Sequence, residues 1–440
     1  MLTHLQNILH KLRASLWLIP SLMCLSALGL ALTADWLDAF YHESANVYWP
    51  SWLIYQGDLD GARALLSTVA GSMITVAGVT FSITMVALSL ASSQFGPRLL
   101  MNFMRDTANQ FVLGTFVSTF LYCLLALGND AGPAGRPPAA SASIGLVLAV
   151  ISVFVLIYFI HHVSSTIRAE HVVQSVAKDA IAAIARLTAP EKNDEKTKPS
   201  CFEPWPNVDS KKLVSRNSGY IQAIDEQGLV ASLAKLDAVM ILKLRPGKFI
   251  AAGECLAEVY FQNDHECDIE RFQRYFIVGH CRTDEQDPEY GISQLVEVAV
   301  RALSPGINDP HTAIACIDWL GSGIRQVANK ALKGAYAFDG QAELRLVRDI
   351  TDFSGLLDTA FDQIRQNSVG VPSVAIHLLD TLAKVFEAIN NEERKEAILR
   401  QARLILQGAK NEQWLENDME DLRQRYKHFD TIFSYACQRL

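Results

Sequence analysis

The chain has 440 residues, of which 50% are hydrophobic and 20% are charged, and its mean hydropathy is +0.14. Soluble proteins of this size carry about 25% charged residues, so the composition indicates a membrane protein with a large soluble portion. The net charge of −8, without an extended Lys/Arg tract, disfavours nucleic acid as a partner. The eight cysteines form no C-x-x-C pair, which is typical of free thiols in a reducing compartment.

Four apolar runs approach the roughly 20 residues that a membrane-spanning helix needs. We predict a transmembrane domain over residues 1–165, with spans at about 16–34, 65–91, 111–127 and 143–161. The first run is longer than the apolar core of a typical signal peptide, and three more runs follow it. We therefore expect an uncleaved first helix, with the lipid bilayer as the surrounding medium.

The basic residues predict the orientation of these spans, because Lys and Arg are retained on the cytoplasmic side. Lys11 and Arg13 precede the first span, whereas loop 35–62 contains five acidic residues and no Lys or Arg. The later loops continue this alternation, so we expect both termini in the cytosol. Loop 35–62 is also rich in Trp and Tyr, which favour the headgroup layer. It is predicted to be an interfacial or re-entrant segment on the outer surface.

The second span carries small and hydroxyl residues at heptad-like spacing. They are Thr75, Gly78, Ser82, Ser89 and Ser93. Such residues let helices approach closely in lipid, so one interpretation is packing against another helix. The other is that this face lines a water-filled path in an oligomer. No Asp, Glu, Lys or Arg lies inside a predicted span, which disfavours a transporter with a charged coupling site but is compatible with a channel.

The rest of the chain predicts a cytosolic α+β domain. Residues 166–212 read as a connecting helix followed by a charged, Pro-rich linker. Residues 213–282 alternate as short strands, including a pair around Gly253, and their layout is similar to half of a biotinyl/lipoyl-type barrel. No exposed Met-Lys or Asp-Lys acceptor lies at a hairpin tip, so we expect only a small β-barrel-like module with a structural role.

Residues 283–440 are predicted to form a helical domain that ends in a C-terminal helical bundle. Its last helices are expected at about 343–367, 371–391, 393–409 and 411–438. Two adjacent histidines, His161 and His162, lie at the exit of the fourth span. A pair in this place is more often interfacial than a pH sensor or a metal ligand.

The sharpest local motif is Arg301-Ala-Leu-Ser-Pro-Gly-Ile-Asn308-Asp309-Pro-His311-Thr. Its Pro-Gly pair predicts a turn, and Asp309 is placed to cap a helix that starts at the following proline. An exposed helix start can also bind an anion or a small ligand, with Arg301, Asn308 and His311 beside it. Docking on a neighbouring subunit is a third interpretation of the same residues.

Three segments together resemble one family. They are GSMITVAGVTFSITMVALSLASSQFGPRLLMNFMRD, YFIVGHCRTDEQDPEYGISQLVEVAVRALSPGINDPHTAIACIDWL and AFDQIRQ. The chain resembles the bacterial family of predicted membrane proteins catalogued as domain of unknown function twenty-two fifty-four. The resemblance extends over nearly the whole chain. It implies four spans and a cytosolic domain in the bacterial plasma (inner) membrane, and it implies no particular activity.

The leading functional hypothesis is a homo-oligomeric channel or pore-like protein, whose second span lines the path and whose cytosolic domain regulates it. The alternative is a membrane-anchored sensor or scaffold that binds an inorganic ion, a small ligand or a protein partner near Arg301 and Asp309. The sequence contains no P-loop, nucleophile elbow, H-E-x-x-H or dinucleotide fingerprint. We therefore expect no enzymatic activity, no cofactor and no metal.

Overall fold

A computed structural model describes most of the chain, and it divides into two compact units, Met1–His171 and Val172–Leu440. The described residues are 17–43, 55–96, 106–128, 139–166, 168–188, 210–262 and 268–437. The central part of the predicted aromatic loop 35–62 lies outside these residues, and so does most of the predicted linker that precedes residue 213.

The first unit is built from four long helices. They are α1 (Leu18–Glu43), α2 (Leu59–Phe95), α3 (Thr107–Gly128) and α4 (Ala139–Thr166). Each contains a stretch that is long and apolar enough to cross a membrane, which confirms the four predicted spans. Helices α2, α3 and α4 extend beyond the predicted spans at both ends, because hydrophobicity marks only the part of a helix that suits hydrocarbon.

Helix α1 continues to Glu43, past the predicted end at residue 34, and this brings Asp38 to the start of α4. The Asp38 carboxylate accepts hydrogen bonds from the Ala140 N–H at 2.7 Å, the Ser141 N–H at 3.0 Å and the Ser141 hydroxyl at 2.6 Å. The first N–H groups of a helix lack intrahelical partners, and its dipole favours a negative charge there. Asp38 therefore caps α4 from another helix and is 8% exposed.

Helix α3 is the centre of this unit and contacts each of the other three helices. Its Phe116 and Tyr122 are fully buried. The Tyr122 hydroxyl donates to the Ser141 carbonyl at 3.0 Å, and the hydroxyls of Thr119 and Ser152 lie 3.3 Å apart across α3 and α4. Lipid offers no hydrogen-bond partners, so polar groups within such a bundle must find them in protein.

The second unit contains eight helices and eight strands among its described residues. The helices are α5 (Ala169–Ala185, which begins just before the unit boundary), α6 (Glu226–Ala234), α7 (Pro288–Ala302), α8 (Pro310–Val327), α9 (Phe353–Asn367), α10 (Pro372–Glu387), α11 (Glu392–Lys410) and α12 (Glu416–Cys437). The strands are β1 (Ser210–Val214), β2 (Gly219–Ile224), β3 (Ala238–Leu242), β4 (Phe249–Ile250), β5 (Cys255–Phe261), β6 (Phe276–Gly279), β7 (Tyr336–Phe338) and β8 (Leu344–Val347). A 3₁₀ helix, Ile269–Tyr275, precedes β6.

The strands form two open sheets over one hydrophobic core. The first has the order β1-β5-β3-β8-β7 and the second β4-β2-β6. Residues from both sheets, such as Ile221 and Met240, pack in the same core with Leu229 of α6. The prediction of helices and strands in the C-terminal part is confirmed. The described strands do not close into a barrel, so the predicted barrel-like module is not confirmed.

Pairings between distant segments explain why the sheets differ from the prediction. Strands β4 and β5, predicted to pair with each other around Gly253, belong to different sheets, since β4 pairs with β2 and β5 lies between β1 and β3. Strand β8 comes from a segment predicted to be helical and pairs in parallel with β3. Helix α9 therefore begins at Phe353 instead of residue 343. The last three predicted helices are present as α10, α11 and α12.

Helix α5, predicted as a connecting helix, is part of the core of the second unit. Its buried residues are Val172, Val173, Val176, Ala177, Ala180, Ala183 and Ile184. Two glycines allow this contact, because an added Cβ at Gly291 of α7 would lie 2.8 Å from the Ala180 Cα, and one at Gly323 of α8 would lie 3.0 Å from the Ile184 Cδ1. The chain after the fourth span is thus fixed directly to α7 and α8.

We expect Gly291→Val to destabilise the protein by about 2 kcal/mol, because the new side chain would overlap the α5 backbone. The free energy of unfolding of the full-length protein in detergent measures this loss. The matched control is Gly306→Val in the α7–α8 loop, where an added Cβ meets no heavy atom within 4 Å. Equal losses in the two variants would contradict the close packing of α5 on α7.

Candidate functional site

The five pore-lining candidates lie along one face of α2. They are Thr75, Gly78, Ser82, Ser89 and Ser93, and all five are exposed. At 3.6 residues per turn, this face is roughly opposite the buried residues of α2, which include Leu66, Met73 and Ala77. A Cβ added at Gly78 would have no heavy atom within 4 Å. Within the described unit, the face therefore points away from the other three helices.

The hydroxyl groups on this face bond back to their own helix. Thr75 donates to the Gly71 carbonyl at 2.8 Å, and Ser82 donates to the Gly78 carbonyl at 2.9 Å. Ser93 donates to a carbonyl one turn earlier in the same way. Such bonds satisfy the hydroxyl proton in an apolar medium. The oxygen keeps lone-pair capacity, so it can still accept a hydrogen bond from water or from another chain.

The outward face of α4 has a different composition. Its large exposed residues are Leu146, Val147, Val150, Ile151, Val153, Phe154, Ile157, Tyr158 and Ile160. Large apolar side chains suit contact with lipid tails, whereas small residues suit close contact between helices. On α2, large residues such as Phe81 and Ile83 lie to either side of the five candidates, and Val86 interrupts the row. The α2 face thus combines a narrow small-residue stripe with apolar flanks.

The second group of candidates lies in the loop between α7 and α8. Arg301 is in the last turn of α7, and Asn308 and His311 are exposed on either side of Asp309. Asn308 has φ +47°, in the left-handed region that asparagine tolerates better than most residues. The N–H of Asn308 donates to the Ser304 carbonyl at 2.9 Å, so local hydrogen bonds define the loop.

Asp309 caps α8, as the sequence predicts. Its Oδ1 accepts from the Thr312 N–H at 3.2 Å and its Oδ2 from the Thr312 hydroxyl at 2.6 Å. The Thr312 hydroxyl and the backbone N–H groups hold the pKa of Asp309 below its ordinary value. Both carboxylate oxygens thus take part in ending the loop. Binding of an anion or a subunit at Arg301 and His311 stays a prediction.

A cluster of paired charges at the start of α7 was not indicated by a sequence motif. The Arg245 guanidinium donates to Glu289 at 2.6 Å and to Asp349 at 3.1 Å, while the Thr351 hydroxyl donates to Glu289 at 2.6 Å. Lys248 lies 3.6 Å from the second Glu289 oxygen. Burial opposes ionisation of Glu289, but the bond from Thr351 and the charge of Arg245 outweigh it and keep its pKa below the ordinary value.

Asp287 extends this cluster to the turn between β3 and β4. Arg282 donates to Asp287 at 2.8 Å, yet burial dominates and raises the pKa of that carboxyl. Gly247 has φ +90°, and a Cβ there would lie 2.1 Å from Asp287. The turn therefore needs glycine for its conformation and for its space. The neighbouring Gln286 amide bonds both the N–H and the carbonyl of Ile224 in β2.

The cluster joins a turn, a loop and a helix start that are far apart in the sequence. Its residues were visible there only as an Arg-Pro-Gly turn and an acidic loop, since local patterns do not show which distant groups will pair. Its carboxylates and guanidinium groups neutralise one another, which fits a structural role. Among the described residues, no group of three or more His, Cys, Asp or Glu could hold a metal ion.

The family model for "Predicted membrane protein (DUF2254)" matches residues 13–384. The chain belongs to this family. The match includes all four spanning helices and both sheets and ends within α10, so the resemblance in the sequence motifs is confirmed over most of the chain.

Bacterial relatives match over nearly the full length. The Uncharacterized protein Rv1290c of Mycobacterium tuberculosis and the Uncharacterized protein Mb1321c of Mycobacterium bovis are each 30% identical over 426 residues, which is 95% of this chain and 80% of theirs. No solved structure matches the chain significantly. The DUF2254 family membership establishes a membrane protein, and the activity has to be inferred from the geometry.

We expect Asp309→Ala to lower the free energy of unfolding by about 1 kcal/mol, the usual value of a helix cap. Because the folded pKa of Asp309 is lowered, its contribution is present above the ordinary carboxyl range and is lost as the pH falls through that lowered pKa. Unfolding at neutral and acidic pH measures both effects. Asp309→Ser keeps a capping oxygen, so a loss as large as that of Ala would contradict the assignment.

We expect Glu289→Ala to cost about 3 kcal/mol, because it leaves the buried Arg245 with less compensation. Glu270→Ala is the matched control, since Glu270 pairs with Arg216 on the surface and both side chains are more than 60% exposed. Such a pair contributes less than about 1 kcal/mol. Chemical unfolding of the two variants compares them, and similar losses would show that the Glu289 cluster is not a structural centre.

Proposed function

We propose that this DUF2254 protein is a homo-oligomeric channel of the bacterial plasma membrane. Copies of α2 surround a common axis through the face that carries Thr75, Gly78, Ser82, Ser89 and Ser93. The C-terminal unit lies in the cytosol, where it regulates the path and catalyses no reaction. The proposal depends on one observation, namely that this small, hydroxyl-bearing face is directed away from the other helices of its own chain.

The chemistry of the face supports association between copies. A surface in contact with lipid gains nothing from glycine and serine, whereas a helix interface gains close approach and hydrogen bonding from both. A second copy of α2 at this face would fill the open space beside Gly78. The flanking residues, such as Phe81 and Ile83, would then pack against neighbouring copies or lipid.

The length and neutrality of α2 support a conducting path. Its 37 residues extend for about 55 Å, well beyond the roughly 30 Å of a hydrocarbon core. From residue 64 to residue 95 its sequence contains no ionisable side chain. A channel can conduct along hydroxyl and carbonyl oxygens, whereas carriers generally use intramembrane charges.

Ion flux tests this proposal directly. Purified protein is reconstituted in liposomes with a potassium gradient, and a potential-sensitive dye reports flux relative to protein-free vesicles. We expect flux from the wild type and a loss of about tenfold or more in Ser82→Leu and in Ser89→Leu, because each places a bulky apolar group on the path. Light scattering in detergent measures whether the wild type is an oligomer.

The matched control is Ser26→Leu. Ser26 is an exposed serine on α1 whose hydroxyl donates to the Met23 carbonyl of its own helix at 2.7 Å, so it resembles Ser82 in everything except the helix that carries it. Equal loss of flux in the Ser26 and Ser82 variants would contradict a path along α2. A monomeric wild type, or no flux under neutral, acidic and osmotically stretched conditions, would instead favour the sensor or scaffold hypothesis.

A further inference from the structure

The last turn of α4 is held by a contact between His162 and Asp106. The His162 Nε2 lies 2.7 Å from the Asp106 Oδ2, and the two side chains are only 23% and 17% exposed. An ionised carboxylate can only accept a hydrogen bond, so Nε2 carries the proton in this contact. The His162 ring stacks on Tyr158, one turn earlier, with their centroids 5.6 Å apart. This stacking orients the imidazole toward Asp106.

Asp106 uses its other atoms to start the central helix. Its Oδ1 accepts from the Ala108 N–H at 3.0 Å, and its carbonyl accepts from the Gln110 N–H at 3.3 Å. One carboxylate therefore joins two elements, because Oδ1 caps α3 while Oδ2 holds the end of α4. A change in the contact with His162 acts on the first turn of the most buried helix of the unit.

The contact lies immediately before the chain passes from the first unit to the second. The Ser165 hydroxyl donates to the His162 carbonyl at 2.8 Å, α4 ends at Thr166, and α5 begins at Ala169. Helix α5 is itself fixed in the core of the second unit through Ala180 and Ile184. The position of His162 thus determines how firmly the end of α4 is held next to the covalent link between the units.

Few other titratable groups lie at this end of the helices. The ionisable residues on the helices packed against α4 are Cys24, Asp35, Asp38, Tyr41, His42 and Glu43 on α1, Asp60 and Arg63 on α2, and Tyr122 and Cys123 on α3. Apart from Cys24, they belong to the end where Asp38 caps α4. On α4 itself the neighbours are Tyr158 and the exposed His161. Arg98 and Arg105 precede Asp106 in the sequence, outside the described residues.

We propose that the Asp106–His162 contact is a pH-sensitive tie, which fixes the end of α4 to the start of α3 when His162 is protonated and loosens when it is neutral. Histidine is the side chain that ordinarily changes charge between pH 5 and pH 8. A hydrogen bond between an imidazolium and a carboxylate is about twice as strong as one between neutral partners. Acidification within that range therefore strengthens the tie for as long as Asp106 stays ionised.

Thermal unfolding of the full-length protein in detergent tests the tie at about pH 6 and about pH 8. We expect the gain in midpoint on acidification to be about 2 °C smaller in His162→Gln and in Asp106→Asn than in the wild type. The matched control is His161→Gln, which removes an exposed histidine from the adjacent position and should respond to pH as the wild type does. Groups elsewhere contribute equally to all four proteins and cancel.

Two results would overturn the tie. One is an equal pH response in the wild type and His162→Gln, and the other is a response in His161→Gln that falls as much as in His162→Gln. If His162→Gln does not fold, the comparison of Asp106→Asn with the wild type decides, because that variant keeps the imidazole and removes only the carboxylate charge.

The consequence for conduction rests on the proposed channel function. We expect the flux of reconstituted wild type to change between the same two pH values, and this change to be lost in His162→Gln but kept in His161→Gln. Identical pH profiles of flux in conducting wild type and His162→Gln would overturn the regulatory part of the proposal. Absence of flux in every variant would count against the channel alone, since the thermal comparison tests the tie without it.

Discussion

The absence of water in a bilayer core constrains every polar group of the first unit. Each must find a partner within protein, because lipid offers none. Helix α3 therefore bonds to α4 through Thr119 and Ser152, and Asp38 serves the N–H groups at the start of α4. The hydroxyls of α2 bond to their own carbonyls. This leaves α2 with a face that is chemically complete but suited to another helix, and the proposed assembly follows from that mismatch with lipid.

In the second unit, buried charge performs the work that the lipid constraint performs in the first. The Glu289 cluster brings together the β3–β4 turn, the loop before α7 and the segment after β8, which local hydrophobic patterning would leave unconnected. The Gly247 turn fits against Asp287 only because it lacks a side chain. Since removing one partner of a buried pair costs far more than removing both, these residues form a unit whose members cannot be exchanged singly.

Much of this architecture could be predicted from local signals. Long apolar runs give the four spans, and the Asp309-Pro-His-Thr segment gives the start of α8, because both depend on neighbours within a few turns. The open sheets could not be predicted, since β3 pairs with β8 from a distant segment. The same holds for Asp38, assigned to an outer loop, and for the partner of His162. In each case the decisive contact joins residues that only the tertiary fold brings together.

The hydrogen bonds also determine which helix can move. Helix α4 is held at its start by Asp38 and at its end by Asp106, both of which lie outside its own sequence. The described hydroxyl bonds of α2 between residues 68 and 93 instead run to carbonyls of α2 itself. A small rotation of α2 against α3 would therefore repack apolar surfaces without breaking those bonds. In an oligomer built on α2, such a rotation would change which residues face the axis while the polar contacts of α4 stay intact.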